Sequence, residues 1–469
     1  MPCELLDCDR AIENNVGFVQ TRFYYKRFRG KRLDMRFTAL VLTLLMTGFF
    51  SGPLARAQDP ATWVNTNLES LVQLYIHFHK NPELSFQEEQ TGIRFGEELT
   101  KIGCEVTNNV GGFGVVGVLK NGEGPVVMVR SDLDALPVIE RTGRPYASNV
   151  TVEDEAGATV GVMHACGHDI HMTNLIGTAQ YLAANKDKWQ GTLLLIGQPA
   201  EERGAGAKAM IDDGLFTRFP KPEVCLAIHC ASGIESGKIA ARGGYTMANV
   251  DSVDVTLYGR GGHGAYPHTT VDPIVQAAKF VLDVQTIVSR EVKPTEPAVI
   301  TVGSIHAGTK HNIISDECHM QLTVRSYSDD VREKLLEGIK LKAKAAAISA
   351  GAKEPLVKVS EGTPSLFNNE ELVARLNPVF KRALGDDKVL VADQVMGGED
   401  FSQYTRQGGM PSLLFWVGSI NKDRLDRYGK MGLPIPSLHS AEFYPDPEPV
   451  LTTSITAMAS AVLELMPRK

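Results

Sequence analysis

The chain of 469 residues has no excess of positive charge: 48 Lys and Arg stand against 55 Asp and Glu, a formal net charge of −7 with no basic stripe. A surface that follows a phosphate backbone needs clustered cations, so nucleic acid is excluded as an expected partner. Cysteines are few, seven in all, and irregularly spaced, which excludes a disulfide framework. No internal repeat or low-complexity tract is present. Aromatics are modest, at 7%. One apolar run, Phe37 to Phe50, stands out, and it is too short to span a bilayer comfortably. What remains is ordinary globular material, 43% hydrophobic with 44 glycines. It is long enough for two domains and suits a loop-rich α/β enzyme better than a helical bundle.

The apolar run has a shape of its own. From Met35 the chain reads "MRFTALVLTLLMTGFFSGPLARAQDP", with Arg36 before the run and Ala55 and Ala57 at the small-residue positions of a cleavage site. This is the pattern of a secretory signal peptide, with translation starting at Met35 and the mature protein at Gln58. Removing residues 1–57 takes away nine Lys/Arg and five Asp/Glu, so the formal charge falls from −7 to −11. The expectation is an exported protein, periplasmic or secreted, with no membrane span in its mature form. Its cysteines are then Cys104, Cys166, Cys225, Cys230 and Cys318. An odd number in an oxidising compartment leaves at least one thiol with another task.

Continuous apolar stretches at 125–129, 192–197, 224–229 and 412–418 alternate with segments of helical periodicity, including one over Ile170 to Ala184. That pattern predicts an α/β fold with a mainly parallel central sheet covered on both faces. From about 248 to 360 the order changes to strand, helix, strand, strand, helix, strand. This is the split pattern of a small ferredoxin-like α+β unit. The organisation expected is an upstream extension and signal peptide over 1–57, a catalytic domain built from 58–247 and 361–469, and an inserted domain over 248–360.

In parallel sheets, ligands gather beyond the carboxyl ends of the strands, and chemistry-bearing residues fall there repeatedly. Asp132 and Asp134 follow the 125–129 strand, Glu201 and Glu202 follow the 192–197 strand, and the 224–229 strand runs into His229. After 412–418 the chain wanders to His439. The loop before the Ile170 helix reads "HACGHDIHMTNL" and holds His164, Cys166, His168, Asp169 and His171. Adjacent glutamates can divide labour, one binding a cation and one taking a proton from water. Cys166 reads as a metal thiolate, as a buried small hydrophobe, or as a nucleophile beside His168. His164 and His171 read as packing or supporting residues, and Asp169 as the cap of the following helix.

Together "RSDLDALPVIE", "GVMHACGHDIHMTNLIGTAQ", "QPAEER", "GRGGHGAYPHTTVDP", "MGGEDFSQY" and "LHSAEF" resemble, in order and spacing, the M20 metallopeptidase family. The likeness is greatest to its amidohydrolase branch of hippurate and indole-3-acetyl–amino acid hydrolases, and it covers about 65–465. The resemblance implies a zinc-peptidase-like catalytic domain with the ferredoxin-like insert as a lid. It implies two divalent ions per subunit (Zn, Mn, Co or Ni), held by Cys166, His168, Glu202, His229 and His439. It also implies Glu201 as general base and acid, and the Asp134 carboxylate orienting a ligand. His263, Asn312 and Arg325 match positions of the lid that contact substrate, and lids that pair about a two-fold axis imply a homodimer. The chain departs from the family pattern at Ser315, at Leu322 and Thr323, and at Gly398, where Pro, Gly-Thr and Ser are usual; these bear on substrate preference. The function expected is hydrolysis of N-acyl amino acids, a small-molecule substrate class, to a carboxylic acid and a free amino acid. The alternatives are a dipeptidase or N-acyl-diamino acid deacylase, and a non-catalytic binding member.

Overall fold

The computed structural model describes residues 59–153, 157–360 and 362–468. The segment 35–57 read as a signal peptide lies outside the described residues. No helix among those described is long and apolar enough to cross a membrane.

Helix α1 (Pro60–Lys80) starts where a sequence rule says it should: the Asp59 side chain accepts the Thr62 N–H at 3.0 Å, and Pro60 occupies the first turn. Helix α2 (Glu89–Ile102) stops at Gly103, whose φ of +94° is a left-handed cap. Strands β1 (Glu105–Val110), β2 (Gly114–Asn121) and β3 (Val126–Asp132) follow, then helix α3 (His168–Ala184) and strand β4 (Gly191–Gln198). After α4 (Gly206–Asp212) come β5 (Val224–Glu235) and β6 (Ile239–Ala241).

Residues 249–360 leave this sheet and build another. Strand β7 (Asn249–Tyr258), helix α5 (Pro273–Thr286), strands β8 (Ala298–Ala307) and β9 (Glu317–Ser326), helix α6 (Asp329–Ala350) and strand β10 (Leu356–Ser360) appear in that order. The sheet runs β8-β9-β7-β10, antiparallel throughout. It has its own core, in which Val253, Val255 and Leu257 of β7 meet Phe280 and Val284 of α5 and Leu335 and Ile339 of α6. Strict burial of alternate β7 residues follows from helices covering one face only.

The chain then returns to the first sheet with α7 (Glu370–Leu384), β11 (Val389–Val391), β12 (Ser412–Ile420) and α8 (Pro447–Leu465). The completed eight-stranded sheet runs β1-β2-β4-β3-β5-β12-β6-β11. Its centre, β4-β3-β5-β12, is parallel, as is β6-β11. The β1-β2, β2-β4 and β12-β6 pairs are antiparallel. The apolar runs are buried from both sides. Leu193, Leu195, Leu413 and Phe415 join the core under α1, α3 and α8, while Leu194, Ile196, Leu414 and Trp416 join the core on the opposite face. One expectation fails here. Asp169 does not cap α3: the helix begins at His168 behind Gly167, and Asp169 lies inside its first turn. Its carboxylate instead accepts the Ile170 N–H at 2.8 Å and meets His79 at 2.7 Å.

Candidate metal centre and active site

The parallel centre of the sheet delivers its strand ends to one edge, and the predicted ligands meet there. Gly167 gives the "HACGHD" loop its turn with φ +84°. A Cβ at that position would come 2.8 Å from Cys230 Sγ, so only glycine fits. His439 arrives from the far end of the chain, where its N–H donates to Ala165 O at 2.8 Å and its φ is +67°, a strained value for a residue with a Cβ. Ligand atoms of Cys166, His168 and His229 lie within 4.8 Å of one another, as do those of Cys166, Glu202 and His439, and those of His168, Glu201 and Glu202. Cys166 Sγ is 3.5 Å from His229 Nε2. Glu202 spans two histidines, with Oε1 3.8 Å from His168 Nε2 and Oε2 3.5 Å from His439 Nε2. Glu201 Oε2 lies 3.9 Å from His168 Nε2.

The hydrogen bonds fix which nitrogen each imidazole offers. His168 Nδ1 lies 2.8 Å from Asp134 O, and His229 Nδ1 lies 2.8 Å from Cys230 O. A carbonyl only accepts, so both rings carry a proton on Nδ1 and turn Nε2 toward the cluster, the arrangement that metal-binding histidines use. His171 is different. Its Nδ1 meets Asp132 Oδ1 at 2.7 Å and its Nε2 accepts the Cys230 N–H at 2.9 Å, so both nitrogens are used and it supports the site without facing it. Both ring nitrogens of buried His164 lack a partner in the protein, and burial pushes its pKa down to about 4.

The donor set fits a pair of divalent cations. His168 Nε2, Glu202 Oε1 and Asp134 Oδ1 are buried polar atoms with no hydrogen-bond partner, a costly arrangement unless something else binds them. Burial pushes the Glu202 carboxyl up to about 7, and Asp134 and Asp132 add to that against the pull of His168. Burial raises Glu201 as well, helped by Glu399 and Glu202, and raises the Cys166 thiol, helped by Glu202 and Glu201. Burial alone would lower His168, but Asp132 and Asp134 raise it to about 10. The same negative field that holds a proton there would hold a dication, and a soft thiolate with imidazoles and a carboxylate suits Zn, Mn, Co or Ni.

The cluster forms one wall of a cavity of about 1000 Å³. Cys166, Glu201, Glu202, His229 and His439 line it, and Arg325 reaches it from β9. Trp416, which the sequence reading passed over, stands beside His229 with ring centroids 5.1 Å apart. With Ile234, Met247, Leu390, Val391 and Val395 it makes an apolar wall. Gly398 lines the same cavity. A Cβ there would come 2.2 Å from Val250 Cγ2 and 2.9 Å from Thr363 Oγ1, so the serine common in the family has no room in this packing. His263 and Asn312 are not brought to this cavity. They sit on an exposed two-stranded ribbon in which His263 pairs with Ile313, and the Gly264 N–H donates to Asn312 O at 2.8 Å.

Behind the cavity lies a buried network that the sequence signalled only by a charge within an apolar strand. Arg130, inside "VVMVRSD", donates to Asp132 at 2.7 Å, Glu399 at 2.9 Å, Asp400 at 3.1 Å and Gln198 at 2.9 Å. Glu399 and Asp400 belong to "MGGEDFSQY", so the network ties the parts of the chain before and after residues 249–360 to each other.

Comparison with known proteins agrees with this geometry. The family described as "Peptidase family M20/M25/M40" matches residues 128–427. "Thermostable carboxypeptidase 2" of Saccharolobus solfataricus is 36% identical over 84% of this chain and 94% of its own length. "Hippurate hydrolase" of Campylobacter jejuni is 37% identical over 69% of this chain and 82% of its own. Among solved structures, YXEP of Bacillus subtilis, described as a dinuclear metal binding peptidase from the M20 family, superposes with a TM-score of 0.70 at 27% identity, covering 86% of this chain and 99% of that one. The chain therefore belongs to peptidase family M20/M25/M40 and is a metal-dependent hydrolase of amide bonds.

Proposed function

We propose that the protein is an exported amidohydrolase that cleaves N-acyl amino acids to a carboxylic acid and a free amino acid. The observation that carries this reading is the split between the two glutamates. Glu202 lies between His168 and His439, whereas Glu201 approaches His168 at 3.9 Å and lines the cavity. Cys166, His168, Glu202, His229 and His439 would hold two divalent ions, which when bound supply Lewis acidity toward water and the amide carbonyl. Glu201 takes the proton of the attacking water and delivers it to the leaving nitrogen. Its buried, anionic surroundings raise its proton affinity to suit both halves of that transfer. Asp134 orients His168 through its backbone carbonyl, 2.8 Å from Nδ1, and not through the expected carboxylate, whose Oδ1 lies 3.4 Å from the same nitrogen. Arg325 offers a cation to the substrate carboxylate from across the cavity, and the Trp416 wall receives an apolar acyl group.

Residues 248–360 act in this reading as a lid and dimerisation domain. Ile274, Val275 and Leu282 form an exposed apolar stripe on α5, and β8 is an open edge of its sheet; a second copy of the chain would cover both. Two-fold pairing would also give His263, which does not line its own chain's cavity, a carbonyl oxygen to stabilise in the partner's site.

The test is a hydrolysis panel of N-acetyl, N-benzoyl, indole-acetyl and long-chain acyl amino acids, run with dipeptides on apoprotein reconstituted with each metal. Release of the acid and the amino acid from at least one N-acyl substrate is expected. The similarity to a carboxypeptidase favours a second reading, peptide hydrolysis, and turnover confined to peptides would establish that instead. Glu201→Gln should keep metal and lose roughly 10²–10⁴-fold in kcat, whereas Glu202→Gln should lose metal. Swapped phenotypes would reverse the assignment. N-terminal sequencing of exported protein should begin at Gln58.

A further inference from the structure

Glu88 stands at the start of α2 and is wholly buried. It does not cap that helix, since its side chain makes no capping bond. Glu83 does so, accepting from the Thr91 N–H at 2.7 Å and the Gln90 N–H at 3.2 Å. Glu88 points the other way. Its Oε1 accepts the Ala200 N–H at 2.7 Å, while its Oε2 has no partner in the protein. A buried carboxylate spent on one backbone amide is a poor choice for stability alone, because an apolar side chain would avoid the desolvation.

Ala200 is where that amide matters. It has φ +48°, a left-handed conformation that a residue with a Cβ adopts only when held. It immediately precedes Glu201, so a change in its dihedrals swings the Glu201 side chain. The rest of the loop is anchored by other acids. Asp134 Oδ2 accepts the Glu202 N–H at 2.9 Å, and Asp400 Oδ2 accepts the Ala207 N–H at 2.9 Å. The segment that delivers Glu88 is itself fastened to the site: Phe86 has φ +62°, and Ser85 Oγ donates to Asp134 Oδ2 at 2.7 Å.

We propose that Glu88 is a positioning residue for the reaction: its carboxylate holds Ala200 in the left-handed turn that aims Glu201 into the cavity, while Asp134 independently holds Glu202 beside the histidines. The proposal rests on Glu201 being the proton carrier.

The experiment measures kcat, KM and bound metal for Glu88→Ala, Glu88→Asp and Glu88→Gln on N-benzoylglycine, or on the best substrate of the panel, with Glu201→Gln alongside. Glu88→Ala removes the acceptor, and Glu88→Asp withdraws it by one methylene while keeping the charge. Both should lower kcat roughly 10- to 100-fold, the scale of a misplacement of about 1 Å, with KM and metal content unchanged. Glu88→Gln keeps a carbonyl oxygen for the Ala200 amide and should stay within about threefold of the parent. If Glu88→Ala does not fold, the Asp and Gln pair decides the matter. Full activity in Glu88→Asp overturns the proposal. So does a Gln variant as slow as the Asp variant, because charge rather than the hydrogen bond would then be at work, and so does loss of metal in the Asp variant. An active Glu201→Gln would instead refute the reading on which the proposal rests.

Discussion

Arg130→Met should be among the most destabilising single changes available in this protein. The side chain is fully buried, and its guanidinium satisfies three buried carboxylates, Asp132, Glu399 and Asp400, together with Gln198 Oε1. Methionine fills a similar volume but leaves those acids without their cation. Breaking a buried pair from one side costs about 3–5 kcal/mol. The three acids share one counter-ion, so their losses overlap and do not sum. About 4 kcal/mol is expected, a large share of a typical total of about 5–15 kcal/mol. The loss should depend on pH. Burial already pushes the Asp400 carboxyl up to about 7, against the pull of Arg130. A carboxyl whose folded pKa lies above its unfolded one is stabilising below the unfolded value, and that stability disappears as pH rises through the folded value. Without Arg130 the cost should therefore be greater at pH 8 than at pH 5. Arg130→Lys keeps the charge but not the planar fork, and should fall between the two proteins. Urea denaturation at both pH values reads this directly. A Met variant within about 1 kcal/mol of the parent at pH 8, on the scale where surface changes fall, would refute the argument that this network is held by its single cation.

Other predictions follow from the site and its surroundings. His79 is buried between Asp169 at 2.7 Å and Glu140 at 3.2 Å. Burial opposes its charge, yet these acids raise its pKa to about 9. Its stabilisation should be complete below an unfolded pKa of about 6.5 and lost as pH rises through about 9, so the stability gap between parent and His79→Gln should narrow across that window; a constant gap would contradict the ion pairs. Cys166→Ser should weaken metal binding, measured by competition with a chelator, and mass spectrometry during turnover should find no acyl group on Cys166 in the parent; a trapped acyl-enzyme would establish covalent catalysis. His263→Ala should lower kcat by roughly 10²–10³-fold with metal retained, and mixing it with Glu201→Gln subunits should restore part of the activity. No recovery despite demonstrated subunit exchange would confine His263 to its own chain.

The sequence alone carried the alternation of apolar strands and helices, because a strand buried on both faces must be apolar at every position, as "TLLLIG" and "SLLFWVG" are. It carried the ligand types too, since thiolate, imidazole and carboxylate at successive strand ends have few other uses. It did not carry the edge strand β1, whose residues "EVTNNV" are mostly polar and at least partly exposed. Nor did it show what Asp169 does, because an acid beside a helix start reads as a cap whether or not a histidine 90 positions away claims it. Only the tertiary structure decided that Glu202 reaches both His168 and His439 while Glu201 approaches His168, that His168 and His229 turn Nε2 toward the cluster, and that His263 does not line its own chain's cavity. Arg130 with Asp400, and Glu88 with Ala200, are separated by 270 and 112 residues. Contacts that distant leave no local pattern, because nothing in the chemistry of either segment names its partner until folding sets them side by side.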